Sequence, residues 1–428
     1  MTSPEHSILE RLRGSRDLWA DFQAICHFGG RFVGSESEKA AVDWLKSRVA
    51  ALTGQAPEPF AVAYDGWHRV SQRLERLTPE PELLDCHALV WSPSTPAGGL
   101  EAEVVDLGRG TLEEIEKRGD EIRGRIPLVR HEYMFATDTV HRRRKYDAAR
   151  AAGAIGFLIA SHLPGRLLVT GSSGRHRPED VPAAGITLES ANALAPADGQ
   201  LPRVRLSIET GQREATAESL ILDMPGQTPE WVVLSAHIDG HPLGQSAMDN
   251  ATGLAVVLSE AAALAPHMPA MTRGLRLCLF NLEEWGLAGS AEYLDRMPAD
   301  DRAAIALNIN LDSVGGDRTL TALTSEFPKL ESFLRDAASD VGVDLGFHLP
   351  TMRNSDHYNF ARHGIPAFRL VAGFNDRESA LRYVLTPNDT VAAVHQDELE
   401  TAALLTAAVA LRACSAPTLD LRPGGPAD

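Results

Sequence analysis

Cysteine is scarce: Cys26, Cys86, Cys278 and Cys414 are the four in 428 residues, far apart and without paired spacing. Neither a disulfide framework nor a cysteine zinc site is expected, and all four read as ordinary core residues. Basic charge is also short, 41 Lys and Arg against 58 Asp and Glu, a net charge of -17 that repels phosphate backbones and anionic membrane surfaces. No nucleic-acid or membrane partner is expected. The one dense basic run, His141-Arg142-Arg143-Arg144-Lys145, is short and reads as a solvated helix face. Missing too are the basic start and apolar core of a secretory signal, and any stretch of membrane-spanning length, so a cytoplasmic protein is expected. There is no internal repeat. Only a Pro/Gly-rich tail, 417–428, reads as disordered.

What is present is ample apolar residue, 44 % of the chain, enough for one large domain or two ordinary ones. The first ninety or so residues read as helices followed by a loop-rich stretch; Ala40, Ala41, Trp44, Leu45, Val49 and Leu52 mark one helical face. Gly34 to Glu38 supply capping chemistry before it. From about Asp85 to Val204 short β-rich pieces surround one helix, Lys145 to Ala152, which suggests a small α/β insert. After Leu220, apolar strands alternate with helices: Trp231 to Ala236, Leu275 to Asn281, Ile305 to Leu311 and Ile365 to Val371. The class is α/β with a largely parallel sheet, in which ligands gather at the carboxyl ends of strands.

Ionisable residues collect at those ends. The first strand runs into His237-Ile238-Asp239, an imidazole and a carboxylate on one side of the chain. Asp239 is expected to accept the second N–H of a metal-bound His237. Asp249, in Ala247-Met248-Asp249-Asn250-Ala251-Thr252-Gly253, opens a helix and reads either as an N-cap or as a carboxylate bridging two metals. A third strand ends in Glu283-Glu284, two carboxylates that are costly to bury without a cation or proton. A fourth delivers Asp312.

In this order the motifs resemble the co-catalytic zinc aminopeptidase family that includes bacterial leucyl aminopeptidase, aminopeptidase Y and glutamate carboxypeptidase II. Arg31-Phe32-Val33-Gly34-Ser35, the Ser355-Asp356-His357 to Gly364-Ile365-Pro366 segment and Thr386-Pro387-Asn388-Asp389-Thr390 also look like family landmarks. The insert resembles a protease-associated domain through Gly124 to Val129 and Ala152 to Gly156. The resemblance implies a zinc-exopeptidase-like three-layer α/β fold with a mainly parallel mixed sheet, formed by 1–84 and 205–416, and a protease-associated-like insert at 85–204. It also implies roles. His237 and Asp312 hold one zinc, Asp249 bridges, Glu284 holds a second zinc, Glu283 is the general base and Asp239 orients His237. The implied activity is hydrolysis of an amide bond in a short peptide or small-molecule amide, most simply as an aminopeptidase.

The pattern breaks at Leu385, where the family has the histidine that completes the second metal site. A leucine offers no lone pair. His357 is the first candidate to fill the gap, with His363, His395 and His241 as others. The alternatives are a single-zinc amidase or acyl-transfer enzyme using His237, Asp249 and Asp312, and a catalytically inactive binding module. One zinc site is therefore expected and the second is open. Arg353, Tyr358 and Arg369 are candidate substrate contacts, the arginines for a substrate carboxylate.

Overall fold

The computed structural model of the chain describes residues 4–174, 177–196 and 199–426. The contacts divide it into two units: Met1–Tyr64 with Thr216–Val384 and Asp389–Asp428, and Asp65–Ala215 with Leu385–Asn388. The second is wider than the 85–204 expected from sequence on both sides, taking in 65–84 and 205–215 as well as Leu385–Asn388.

In the first unit the strands run in the order Leu345–His348, Leu320–Leu323, Ala367–Ala372, Ile305–Leu311, Trp231–His237, Gly274–Phe280, then residues 220–224 of the strand Arg203–Met224. From Ala367–Ala372 to Gly274–Phe280 neighbouring strands are parallel. These central strands are buried almost throughout, which is why they read as continuous apolar runs rather than as alternation. The helix Thr252–Leu264 is buried at every position, and it packs with Arg16–His27 and Gln396–Ser415. The register pairs Phe280 with His237 and Asn310 with Ser235. The parallel strands therefore end level with one another, and His237, Glu283 and Asp312 emerge on the same edge of the sheet.

Several expectations are corrected. The stretch read as loop-rich contains a strand of 19 residues, Glu58–Arg76. Phe60, Val62 and Tyr64 alternate there with exposed neighbours, but beyond Trp67 the strand is mostly polar, so the alternation is too short to announce its length. The tail packs as far as the described residues go: Leu421 is buried, Lys329 donates to Asp420 and to the Arg422 carbonyl, and the Arg422 guanidinium donates to the Ile305 carbonyl. Residues 427–428 of that expectation lie outside the described residues. Ala247–Ala270 is, by length and composition alone, apolar enough to cross a membrane, contrary to expectation, but most of it is buried as a core helix.

Inside that core helix Glu260 is fully buried, with one carboxylate oxygen accepting the Thr406 hydroxyl. Burial outweighs that bond and raises its pKa well above the usual glutamate value. The folded state therefore binds this proton more tightly than the unfolded chain. Its contribution is fully present below the unfolded pKa and is lost as pH rises towards the folded one. Glu260→Gln should match wild type in stability near pH 4 and exceed it increasingly up to pH 8, read from denaturant curves at each pH. A difference that does not change with pH would refute this assignment.

The second unit is built on strands of mixed direction. Leu100–Asp106, Ile126–Arg130, Phe157–Ala160 and Ala183–Ile186 run parallel, with Cys86–Ala88 and residues 203–206 antiparallel at either end. Leu128, Leu158, Ala184 and Val204 lie in its core. The basic run is not a solvated face. It falls on the helix Arg142–Ala151, and Lys145 is fully buried because its ammonium reaches Glu132 and the carbonyls of Arg109 and Arg130.

Candidate metal centre

The end of the His237 strand places a 1 % exposed imidazole beside acidic side chains from three other segments. His237 Nε2 lies 3.0 Å from Asp249 Oδ1 and 3.6 Å from Asp312 Oδ1, yet makes no aligned hydrogen bond. One ligand-capable atom each of His237, Glu283 and Asp312 fall within 4.8 Å of one another. Burial alone would lower the His237 pKa, but Glu283, Asp249 and Asp312 outweigh it and hold the imidazole well above its ordinary value. The acidic field that favours a proton on this ring would equally favour a cation beside it.

Asp249 does not cap a helix. Asp249 and Asn250 have non-helical dihedrals, and the helix that follows begins at Thr252 with no side-chain cap. The segment is pinned from two sides. Asp389 accepts the Met248 N–H at 2.8 Å, while the Asn250 side chain donates to the Leu311 carbonyl and accepts the Gly253 and Ser313 N–H groups. Gly253 is required there, since a Cβ would sit 2.4 Å from the Leu311 carbonyl oxygen. The bridge candidate and the Asp312 strand end are thereby tied into one body.

The carboxylate of Asp239, expected on the ring of His237, is used otherwise. His237 Nδ1 faces the Asp239 carbonyl oxygen at 3.0 Å, with the carboxylate at 3.8 Å. Asp239 Oδ1 and Oδ2 instead accept the Glu283 and Glu284 N–H groups, each at 3.1 Å. Burial pushes the Asp239 carboxyl up to about 7. Its placement couples the imidazole strand to the paired glutamates. Asp239→Asn, which can accept at only one of its two side-chain atoms, should weaken metal binding by about 10–100-fold in a competition titration. Unchanged affinity would show that those backbone bonds do not position the ligands.

Asp312 is 2 % exposed. Burial would raise its pKa, but Arg369, with Nη2 at 3.1 Å, together with His237 holds it far below the usual carboxylate range. Arg369 also donates to the Asp312 and Asn354 carbonyls, so this guanidinium braces the strand end rather than offering itself to a substrate. Arg353 stacks over the Tyr358 ring at 5.2 Å. Glu283 is 9 % exposed, and burial with the neighbouring acids raises its pKa well above the usual value.

His357, the first candidate for the missing ligand, is fully buried, with both ring nitrogens unpartnered. Burial pushes its imidazole down to about 3, and the charges acting on it are those of Arg369 and Asp312. His363 pairs with Asp295, and His395 caps the last helix through Glu398. The ring that touches Glu284 is His241, with Nε2 2.7 Å from Glu284 Oε2. Leu385, in the second unit, is buried and its carbonyl accepts the Thr170 N–H.

Arg31 carries a role that sequence did not reveal. It is fully buried and donates to the carbonyls of Gly29, Ile238, Gln245 and Ser246, clamping the loop between His237 and Asp249. Its only signal was the landmark stretch that begins with it.

The carboxylates of Asp239, Asp249, Glu283, Glu284, Asp312 and Asp356 outnumber the guanidinium groups of Arg31 and Arg369 that lie among them. Burying such an excess of acid requires protons or a cation. The donor set, imidazole and carboxylate oxygen with an unpaired Nε2 at its centre, fits zinc.

Residues 219–410 match the model of peptidase family M28, and residues 97–194 match that of the PA domain. Aminopeptidase YwaD of Bacillus subtilis is 26 % identical over 327 residues, which cover 74 % of this chain and 68 % of that protein. Among solved structures, a peptidase M28 precursor from Shewanella amazonensis superposes with a TM-score of 0.83 at 24 % identity, covering 99 % of this chain and 98 % of the other. BSAP, a zinc aminopeptidase from Bacillus subtilis, gives 0.75 at 22 % identity, covering 95 % and 96 %. These likenesses establish a mixed α/β fold with a mostly parallel sheet and a PA domain as insert.

Proposed function

We propose that this chain, in which a peptidase M28 domain accompanies a PA domain, is a zinc-dependent hydrolase of amide bonds that acts as an aminopeptidase on short peptides. The observation that carries the reading is the buried His237 Nε2, unpaired yet 3.0 Å from Asp249 and 3.6 Å from Asp312. The similarity to aminopeptidase YwaD and to a zinc aminopeptidase fold supports both the reaction and the metal. His237, Asp249 and Asp312 would hold the ion. Zinc bound there supplies an acidified water and polarisation of the scissile carbonyl.

The remaining steps belong to the chain. Glu283 takes the proton from the attacking water and later returns it to the leaving amine, a role that suits a buried carboxylate whose pKa burial raises. Asp239 holds the backbone of both glutamates, so Glu283 keeps its orientation through the proton's transfer. Arg369 keeps Asp312 ionised.

The second reading is an amidase for a small N-acylated molecule, favoured by Leu385, where the resemblance implies the histidine of the second metal site. In the aminopeptidases the substrate's free amine is held beside that site. Two peptides of identical sequence, one with a free and one with an acetylated N-terminus, separate the readings. The aminopeptidase reading expects turnover of the free peptide only; preferential cleavage of an N-acyl amide would transfer the assignment to the amidase.

A further inference from the structure

We propose that His241 is a metal ligand and completes, with Glu284 and Asp249, a second zinc site in place of the histidine that Leu385 has replaced. The proposal rests on the reading above in which Asp249 is shared with an ion at His237 and Asp312.

Three observations carry it. The first is the contact itself. His241 Nε2 lies 2.7 Å from Glu284 Oε2, with the side chains 5 % and 13 % exposed. Despite that distance His241 Nε2 has no aligned hydrogen bond, and its Nδ1 has no partner either. A buried imidazole with both nitrogens unsatisfied is costly, and a cation shared with the adjacent carboxylate would satisfy it.

The second is the loop. The His241 N–H donates to Ser246 Oγ at 2.9 Å, and Arg31 binds the Ile238, Gln245 and Ser246 carbonyls on either side. Gly30 lies so close that a Cβ on it would sit 2.0 Å from the His241 carbonyl oxygen. The ring is thus presented by a braced backbone, as a ligand must be if binding is not to cost loop ordering.

The third is charge. Glu284 and Asp249 act on each other unfavourably, and Asp249 already approaches His237. That repulsion between two carboxylates calls for positive charge between them. A second divalent ion between Glu284, Asp249 and His241 neutralises it with the oxygen and nitrogen ligands that zinc prefers.

The test is zinc stoichiometry. Full-length protein is stripped with a chelator, reloaded with Zn²⁺ alone, passed through a desalting column and analysed for metal, with folding followed by circular dichroism. Wild type should retain two equivalents, and His241→Ala one. Two equivalents in both proteins would overturn the proposal. One equivalent in wild type would overturn it too, while leaving the His237 site intact; none would remove both. Should His241→Ala fail to fold, anomalous diffraction from zinc-loaded wild-type crystals decides the question. A peak about 2.0–2.2 Å from both His241 Nε2 and a Glu284 oxygen is the expected result, and loaded crystals in which His241 contacts only Glu284 would overturn it.

Discussion

Glu283→Gln should abolish most turnover, by about 10²–10⁴-fold in kcat, while the protein keeps its metal. The substitution preserves shape and removes only the group that accepts and returns a proton. Glu283 also stands within 4.8 Å of ligand-capable atoms of His237 and Asp312, and a second outcome follows from that closeness. If Glu283 were itself a principal ligand, the amide would weaken metal binding together with turnover. Parallel measurement of kcat and bound zinc separates a proton carrier from a ligand. Loss of turnover at constant zinc supports the assignment; loss of both would assign Glu283 to the metal.

Removal of the Arg369 guanidinium should produce the largest loss of stability. Arg369 and Asp312 form an ion pair with side chains only 4 % and 3 % exposed, and breaking such a pair from one side costs about 3–5 kcal/mol because the other charge is left buried. Arg369→Met keeps much of the stem volume and removes the charge. The loss should be greatest in chelated protein and smaller with zinc bound, since a cation held by Asp312 takes over the compensation. Denaturant unfolding with and without zinc measures both values. Equal losses in the two states would show that Asp312 is not a ligand.

The parts of the site that sequence revealed share one physical origin. An apolar strand buried on both faces must end where polar chain begins, and in this fold that boundary is the ligand-bearing edge. His237, Glu283, Glu284 and Asp312 each follow such a run directly, so spacing alone placed them together. Asp249 was ambiguous because a carboxylate ahead of a helix has a common capping role; the irregular backbone that removes this role cannot be seen in the residue types.

What stayed hidden depends on long-range pairing. Arg31 binds the carbonyl of Ile238, 207 residues away. His241 could be named as a possible ligand but not matched to Glu284, because only the fold of the loop brings imidazole and carboxylate to 2.7 Å. Asp239 was placed beside the right histidine, yet its carboxylate serves the next strand's backbone. Lys145 looked solvated because the run around it is basic, and Glu132 and two carbonyls that receive it lie elsewhere in the chain. The strand Glu58–Arg76 was missed because the alternation of Phe60, Val62 and Tyr64 is short and gives way to a mostly polar stretch.

The most direct measurement is a zinc titration of chelated wild-type protein in which bound metal and hydrolysis of an aminoacyl amide are read from the same samples. The account predicts no turnover at zero zinc and activity that rises in step with site occupancy. Full occupancy without hydrolysis of any aminoacyl or N-acyl amide would contradict it, and would leave His237, Asp249 and Asp312 as the metal site of a binding module.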